Sequence, residues 1–272
     1  MLSPPGRKAR RVSALNAEVS GRGRRDLVLL HGWGMNSRVW DPLVEALERR
    51  FRLIAIDLPG HGGSDWDIGA QMPAAQAFRI HETLAPLTTR YHLLGWSLGG
   101  QFALDLAAAM PAAIERLVLV NTSPRFLATR GWPFGTAPLL LDRLAERVRA
   151  DPQCAVDEFL KLQVRGTPPR TATRVLRTLR ESLHRHGTAA PAALAKGLEQ
   201  LREGDLRPAL TQVRVPALMI CGRHDRIVRP AASRALAALA GARCVEFETA
   251  AHAPFLSHPR RFAQLVREFL LE

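Results

Sequence analysis

Cysteine and long apolar runs are both scarce in this chain of 272 residues. No apolar run approaches the roughly 20 residues of a transmembrane helix, so we expect no membrane partner. The basic amino-terminal segment is not followed by the apolar stretch of a secretory signal. Cys154, Cys221 and Cys244 cannot all pair and show no metal-ligand spacing. This pattern favours reduced thiols in a cytoplasmic protein without a metal site.

Negative charge is also in short supply, because 38 Lys and Arg residues face 25 Asp and Glu residues, for a net charge of +13. Residues 1–26 carry a net charge of +5 and residues 124–208 a net charge of +6. We expect residues 1–25 to form a basic, largely flexible extension with one short strand around residues 12–19. The internal segment is either a solvated set of helix faces or a docking face for an acidic partner. No nucleic-acid-binding motif accompanies the charge, so we expect no nucleic-acid partner.

Short apolar runs alternate with helical patterns along most of the chain. Strands that are apolar throughout and separated by helices predict an α/β fold, in which helices cover both faces of a mostly parallel sheet. The glycine-rich breaks fall at the carboxyl ends of strands, where function gathers in such sheets. The predicted strands are at 26–34, 51–57, 91–97, 114–124, 215–225 and 242–252, and the predicted helices at 39–50, 72–87, 99–111, 230–241 and 258–272.

Residues 124–208 interrupt this alternation with helical patterns alone. Asp151 suits the N-cap of one such helix, and Pro152 suits its first position. We therefore divide the chain into an α/β core of residues 26–123 and 209–272 and an all-helical insertion of residues 124–208, which we call the lid. The predicted lid helices are at 137–150, 151–166, 170–187 and 191–204.

Glycines surround one serine in the stretch "GWSLGG" at residues 95–100. A predicted strand precedes Ser97 and a predicted helix follows it, which is the setting of the G-x-S-x-G nucleophile elbow. Small neighbours allow the strand and helix to approach each other, so that the hydroxyl stands clear of the sheet. The amino-terminal end of the helix then directs its positive dipole at the reacting centre. This pattern indicates nucleophilic catalysis by Ser97.

A nucleophilic serine needs a general base, and the base needs a carboxylate to orient it. In folds with this elbow the chain order is serine, acid, histidine. Asp225 follows the apolar run "LMICG", and His252 follows the last predicted strand, so we predict a catalytic triad of Ser97, Asp225 and His252. Asp57 also ends a strand, but its glycine-rich context is more typical of a turn. Other histidines near predicted loops or helix starts are His31, His61, His224 and His258.

An oxyanion hole requires two backbone amides beside the nucleophile. One is expected from Leu98, the residue after the serine. The other is expected from Trp33, in the loop "HGWG" that follows an earlier strand.

These motifs resemble the α/β-hydrolase superfamily over nearly the whole length after residue 26, and within it the carboxylesterases of the biotin pathway. The specific matches are "LVLLHGWGMNSRVW", "DLPGHGGS", "GWSLGG", "FLKLQVRGT" and "AAHAPFLSHP". The resemblance implies hydrolysis of a methyl ester on a pimeloyl chain held by acyl-carrier protein, without metal or cofactor. It implies substrate contacts from Trp33, Ser97, Leu98, His252, Phe159, Leu160, Lys161, Leu162 and Gln163.

The resemblance also implies that lid arginines contact the acidic carrier, and the candidates are Arg165, Arg170, Arg174 and Arg177. Cys154 and Glu158 stand where basic residues are expected in that family. We expect a monomer. Alternatives are another hydrolase of this fold acting on small free esters or on carbon–carbon bonds, and a non-catalytic binding protein. A haloalkane dehalogenase is excluded, because it requires a carboxylate in place of Ser97.

Overall fold

A seven-stranded sheet forms the centre of the protein. The computed structural model describes residues 14–67 and 72–272. The strands are β1 (Ala17–Ser20), β2 (Arg25–Leu30), β3 (Phe51–Ile56), β4 (Tyr91–Trp96), β5 (Ile114–Val120), β6 (Ala217–Gly222) and β7 (Arg243–Phe247). Their order in the sheet is β1-β3-β2-β4-β5-β6-β7. All neighbours are parallel except β1, which pairs antiparallel with β3. The predicted α/β fold is thereby confirmed.

Helices connect the parallel strands and complete the core. They are α1 (Asp41–Leu47), α2 (Pro73–Leu84), α3 (Leu98–Ala109), α4 (Pro138–Ala150), α5 (Pro152–Gln163), α6 (Pro169–His186), α7 (Pro191–Glu203), α8 (Pro230–Leu239), α9 (Pro254–Ser257) and α10 (Pro259–Leu271). Every residue of β4 is buried, which is why its sequence is apolar without alternation. Across the described ranges, no helix has both the length and the apolar character needed to cross a bilayer.

The lid consists of α4 to α7, which lie between β5 and β6 in the chain. Apart from two isolated bridges, residues 124–208, all of which the structure describes, contain no strand. Each lid helix has proline at its first position, where a missing N–H has no consequence because that amide has no partner within the helix. The Asp151 carboxylate caps α5 by accepting from the amides of Gln153 and Cys154 at 3.0 and 2.9 Å.

Several boundaries differ from the sequence-based expectations. Residues 1–25 were expected to be a largely flexible extension with one short strand around residues 12–19, but β1 joins the sheet and Leu15 is only 4% exposed, so the core begins before residue 26. Residues 1–13 lie outside the described residues. The strands predicted at 114–124 and 242–252 end earlier, at Val120 and Phe247, because the following residues turn into the loops at the edge of the sheet.

Candidate active site

The turn between β4 and α3 places Ser97 at the carboxyl edge of the sheet. Ser97 has a φ of 56° and a ψ of −117°, a conformation that residues other than glycine rarely adopt. Its neighbours must be small, since a Cβ on Gly95 would lie 2.4 Å from the carbonyl oxygen of Gly99. The Ser97 carbonyl accepts from Thr122 Oγ1 at 2.7 Å, and its amide donates to the Val120 carbonyl at 2.9 Å. The backbone of the elbow is therefore held from both sides.

His252 and Asp225 meet at the same edge of the sheet. The Nδ1 atom of His252 donates to Asp225 Oδ2 at 2.7 Å, and both residues are buried. Asp225 follows β6, and its other oxygen, Oδ1, accepts from the amides of Ile227 and Val228 at 2.8 and 3.1 Å. These backbone donors fix the carboxylate, and the carboxylate fixes the orientation of the imidazole ring.

Asn121 is a further partner of the Asp225 carboxylate. The sequence analysis did not name it. It follows β5 with a φ of 44°, and its side-chain amide donates to Asp225 Oδ2 and, at 3.4 Å, to the Ala251 carbonyl. The second bond joins it to the residue before His252. A side chain that holds the acid and the histidine segment together at a strained backbone position is consistent with a positioning role.

Trp96 connects the histidine segment to the elbow. Its indole N–H donates to the His252 carbonyl at 2.8 Å, and its ring lies 5.4 Å from the imidazole ring between centroids. The His252 amide donates to the Gln163 carbonyl at 3.1 Å, so the lid also contacts this segment. The remaining ring nitrogen, Nε2, is buried and has no hydrogen-bond partner among the described residues. One nitrogen of the ring is thus occupied by the acid, and the other is free to accept a proton.

The loop after β2 lies directly against the elbow. A Cβ on Gly32 would lie 3.3 Å from the Cβ of Ser97. The next amide, that of Trp33, donates to no acceptor within the described part of the chain. Leu98 is the first residue of α3, and the first amides of a helix have no acceptor within it. The structure thus leaves both predicted oxyanion donors without a backbone partner.

Two buried histidines support the Trp33 loop instead of competing for the role of base. His31 Nε2 accepts from the Leu58 amide at 3.0 Å, and His61 Nε2 accepts from the Gly34 amide at 3.3 Å. Burial lowers the pKa of His31, and it lowers the pKa of His61 to about 3. Both rings are therefore neutral near pH 7.

Asp57 has a different set of partners from Asp225. Its carboxylate accepts from the Ser37 amide at 2.6 Å and the Gly63 amide at 2.9 Å, and it bonds His186 Nε2 at 2.7 Å. These contacts shape two loops and tie the end of α6 to the core. They agree with the interpretation of the Asp57 segment as a turn.

A narrow cavity lies between Ser97 and the lid. Of the described residues that line it, Ser97 alone has a hydroxyl, carboxyl, amide or charged side chain. Phe159 packs edge-on against Trp33 with ring centroids 5.0 Å apart, and the Trp33 indole donates to the Leu194 carbonyl at 2.9 Å. The lid thereby fixes the side chain next to the Trp33 amide. The lining residues are Trp33, Ser97, Phe126, Leu140, Leu141, Leu144, Phe159, Leu198, Leu201 and Ile227.

The predicted run of substrate contacts at 159–163 is only partly placed at this cavity. Phe159 lines it, whereas Leu160 lines a separate groove beside α6 and α7. Lys161 and Leu162 line a depression between α4 and α5 that is open to solvent. Gln163 is buried, and neither atom of its side-chain amide has a partner among the described residues. The reason is helical geometry, because consecutive residues of α5 point in directions about 100° apart.

The remaining cavity residues come from α4, α7 and nearby loops, and the sequence analysis did not name them. The spacing of Leu140 and Leu144, and of Leu198 and Leu201, was the available signal, because residues three and four apart share a helix face. That spacing identifies a buried face and leaves open what the face covers.

Three of the four predicted carrier-binding arginines lie on α6, and Arg165 follows α5. Arg174 donates to the carbonyls of Leu256 and Ser257 at 2.9 and 3.0 Å, so it fastens α6 to α9. This contact gives Arg174 a structural role, and its role in docking stays a prediction. Arg177 lies 3.8 Å from Glu181, Arg170 is exposed, and Arg165 follows α5.

Residues 27–265 match the alpha/beta hydrolase family. The chain belongs to this family. Among relatives of this hydrolase, the pimeloyl-[acyl-carrier protein] methyl ester esterase of Nitrosomonas europaea is 42% identical over 255 residues, covering 92% of this chain and 97% of that protein. The protein of the same name from Aeromonas hydrophila is 39% identical over 259 residues, covering 94% and 99%. A solved hydrolase from Pseudomonas aeruginosa is 30% identical, with a TM-score of 0.78 and 93% of each chain covered.

Proposed function

We propose that this hydrolase is a serine carboxylesterase that cleaves the methyl ester of pimeloyl-[acyl-carrier protein] to release methanol. The observation that carries the catalytic part is the imidazole of His252, which is bonded to Asp225 through Nδ1 and has a buried, unpartnered Nε2. A buried polar atom without a partner is costly unless a reacting group occupies its site. This is the arrangement a general base requires.

In the proposed reaction, His252 Nε2 takes the proton of Ser97 as the hydroxyl oxygen attacks the ester carbonyl. The amides of Trp33 and Leu98 stabilise the tetrahedral oxyanion. His252 then protonates the departing methoxide, which leaves as methanol, and an acyl-enzyme remains. A water molecule gives a proton to His252 and attacks the acyl carbonyl, and His252 then returns this proton to the Ser97 oxygen as the acid leaves. Asp225 keeps the ring oriented and stabilises its charged form.

The apolar lining of the cavity favours a substrate whose reacting end is an uncharged ester. Burying a carboxylate without a partner costs several kcal/mol, whereas a methyl ester carries no charge. The cavity presents no cation to a carboxylate, since its lining residues other than Ser97 are all hydrophobic. We expect the free acid that forms in the reaction to be disfavoured there, which promotes product release.

The carrier-bound substrate is supported by the relatives, which share about two fifths of their residues with this chain over nearly its full length. The net charge of the lid, +6, suits an acidic partner. We extend the proposal to a cytoplasmic monomer.

The test is a panel of methyl esters presented either on acyl-carrier protein or as free molecules of several chain lengths. We expect kcat/KM to be highest for the carrier-bound pimeloyl ester. A strong preference for short free esters, with the carrier-bound ester left intact, would instead favour a general esterase. Cleavage of a carbon–carbon bond in a diketone substrate, with all esters left intact, would favour the other alternative.

A further inference from the structure

A second depression lies next to the catalytic cavity and opens to solvent between α4 and α5. We call it the α4–α5 groove, and it encloses about 1270 Å³ including its open side. Arg143 and Arg147 line it from α4, and Lys161 and Arg165 line it from α5 and the turn that follows.

Three apolar side chains separate this groove from the cavity beside Ser97. Leu140, Leu144 and Phe159 line both spaces. They contribute side chains to the boundary, so rotation of these side chains would join the two spaces without breaking the hydrogen bonds of either helix. The groove is thus a route by which an extended chain could reach Ser97 from outside.

Two of the basic residues of the groove are ion-paired and two are not. Arg147 is paired with Glu158 at 3.0 Å, and Lys161 is paired with Asp157 at 2.7 Å. Arg143 and Arg165 form no ion pair or side-chain hydrogen bond with any described residue.

Glu146 and Glu158 partly offset the positive charge of the groove. The lining still carries four basic residues against these two acidic ones. Two guanidinium groups at the mouth therefore remain available to an anionic partner.

We propose that the acidic carrier protein docks over the α4–α5 groove, where Arg143 and Arg165 contact its carboxylates and its acyl chain enters past Phe159. This inference rests on the proposed function. It places docking on α4 and the end of α5, and only Arg165 of the four arginines expected from the sequence takes part. Charge complementarity selects the occupant, because an acyl chain tethered to an acidic protein requires both an apolar passage and cations at its mouth.

The test compares two double variants that make the same change in charge. Arg143→Glu with Arg165→Glu alters the groove, and Arg170→Glu with Arg177→Glu alters exposed positions elsewhere on the lid. For the groove variant, we expect kcat/KM on the carrier-bound methyl ester to fall about 10- to 100-fold, while kcat/KM on a free methyl ester changes less than about 2-fold. For the control variant, we expect less than about a 3-fold loss on either substrate.

A larger loss in the control variant than in the groove variant would overturn the inference and place docking on α6. Equal rates for the wild type and the groove variant would overturn it as well. If the wild-type protein cleaves free esters and leaves the carrier-bound ester intact, the proposed function itself fails, and the inference fails with it.

Charge reversal could also disturb folding, which would appear as a loss on the free ester. In that case Arg143→Gln with Arg165→Gln provides the decisive measurement. We expect kcat/KM of the wild type on the carrier-bound ester to fall with added salt, and we expect a shallower dependence in this variant. Identical salt dependence in the two proteins would contradict docking at the groove.

Discussion

The elbow side and the lid side of the cavity supply opposite kinds of groups. On the elbow side, Ser97, Asp225 and His252 are polar, and backbone hydrogen bonds hold their segments in place. On the lid side, side chains such as Leu140 and Phe159 are apolar and are held by packing. Hydrogen bonds specify position to within fractions of an ångström, whereas apolar packing tolerates related shapes. We infer that the elbow side determines the chemistry, while the lid side determines which chain reaches it.

The largest effect is expected on the elbow side, from Asp225→Asn. The amide would donate to His252 Nδ1 and leave the wrong tautomer at Nε2, so kcat should fall about 10⁴-fold. Steady-state assays with a methyl ester measure this loss in kcat. A cooperative thermal unfolding transition should show that the variant is folded. A variant with more than about a tenth of wild-type kcat would remove Asp225 from the triad.

A smaller loss is expected from Asn121→Ala, which removes one donor to Asp225 and leaves the triad in place. A hydrogen bond to a charged group is worth about 1.5–3 kcal/mol, which corresponds to a fall of roughly 10- to 100-fold in kcat. KM should change little, because the side chain does not line the cavity. An increase in KM at constant kcat would show that Asn121 acts through the shape of the cavity instead.

The loop beneath the elbow should make stability depend on pH. Burial lowers the pKa of His61 to about 3 in the folded protein, from the ordinary histidine value of 6.5. The unfolded chain therefore binds more protons between these values, and the free energy of unfolding falls as the solution is acidified below pH 6.5. For His61 alone the loss is about 2 kcal/mol between pH 7 and pH 5. Denaturant titrations of the wild type and His61→Gln measure it, and equal slopes in both would contradict the assignment.

The smallest effect is expected on the lid side, from Asp151→Ala. Loss of this N-cap should lower the free energy of unfolding by about 1 kcal/mol, with kcat on free esters unchanged. Calorimetry and an activity assay provide the two measurements. The neighbouring exposed substitution Gln153→Ala serves as the control. A drop in kcat similar to that of Asn121→Ala would show that the lid contributes to the chemistry, and the contrast between the two sides would break down.

The core could be predicted because its physical signals are local. Apolar runs marked the strands, and the glycines around Ser97 marked the elbow, since a Cβ there would collide with neighbouring atoms. The pairing of His252 with Asp225 followed from strand order, which brings loops after β6 and β7 to one edge. The contact of Asn121 had no comparable signal, because one amide after a strand is common and its partner lies 104 residues away.

The lid helices could be predicted from the sequence, but the faces that they turn toward Ser97 or toward solvent could not. Amphipathic spacing identified the helices, whereas their packing against each other decided which faces meet Ser97 and which face solvent. Arg174 illustrates the limit, since its carbonyl partners at Leu256 and Ser257 become apparent only in three dimensions. The short strand expected around residues 12–19 overlaps β1 only at residues 17–19, because a strand of four residues at the sheet edge is only half-buried and has no apolar run to fix its bounds.

The most direct test of the central claim is covalent labelling of the nucleophile. A fluorophosphonate reacts with an activated serine, and digestion with mass spectrometry locates the adduct. We predict a single adduct on the peptide that contains Ser97, strongly slowed labelling in His252→Ala, and no adduct in Ser97→Ala, which should also lose esterase activity. An adduct on another residue, or full esterase activity in Ser97→Ala, would contradict the account.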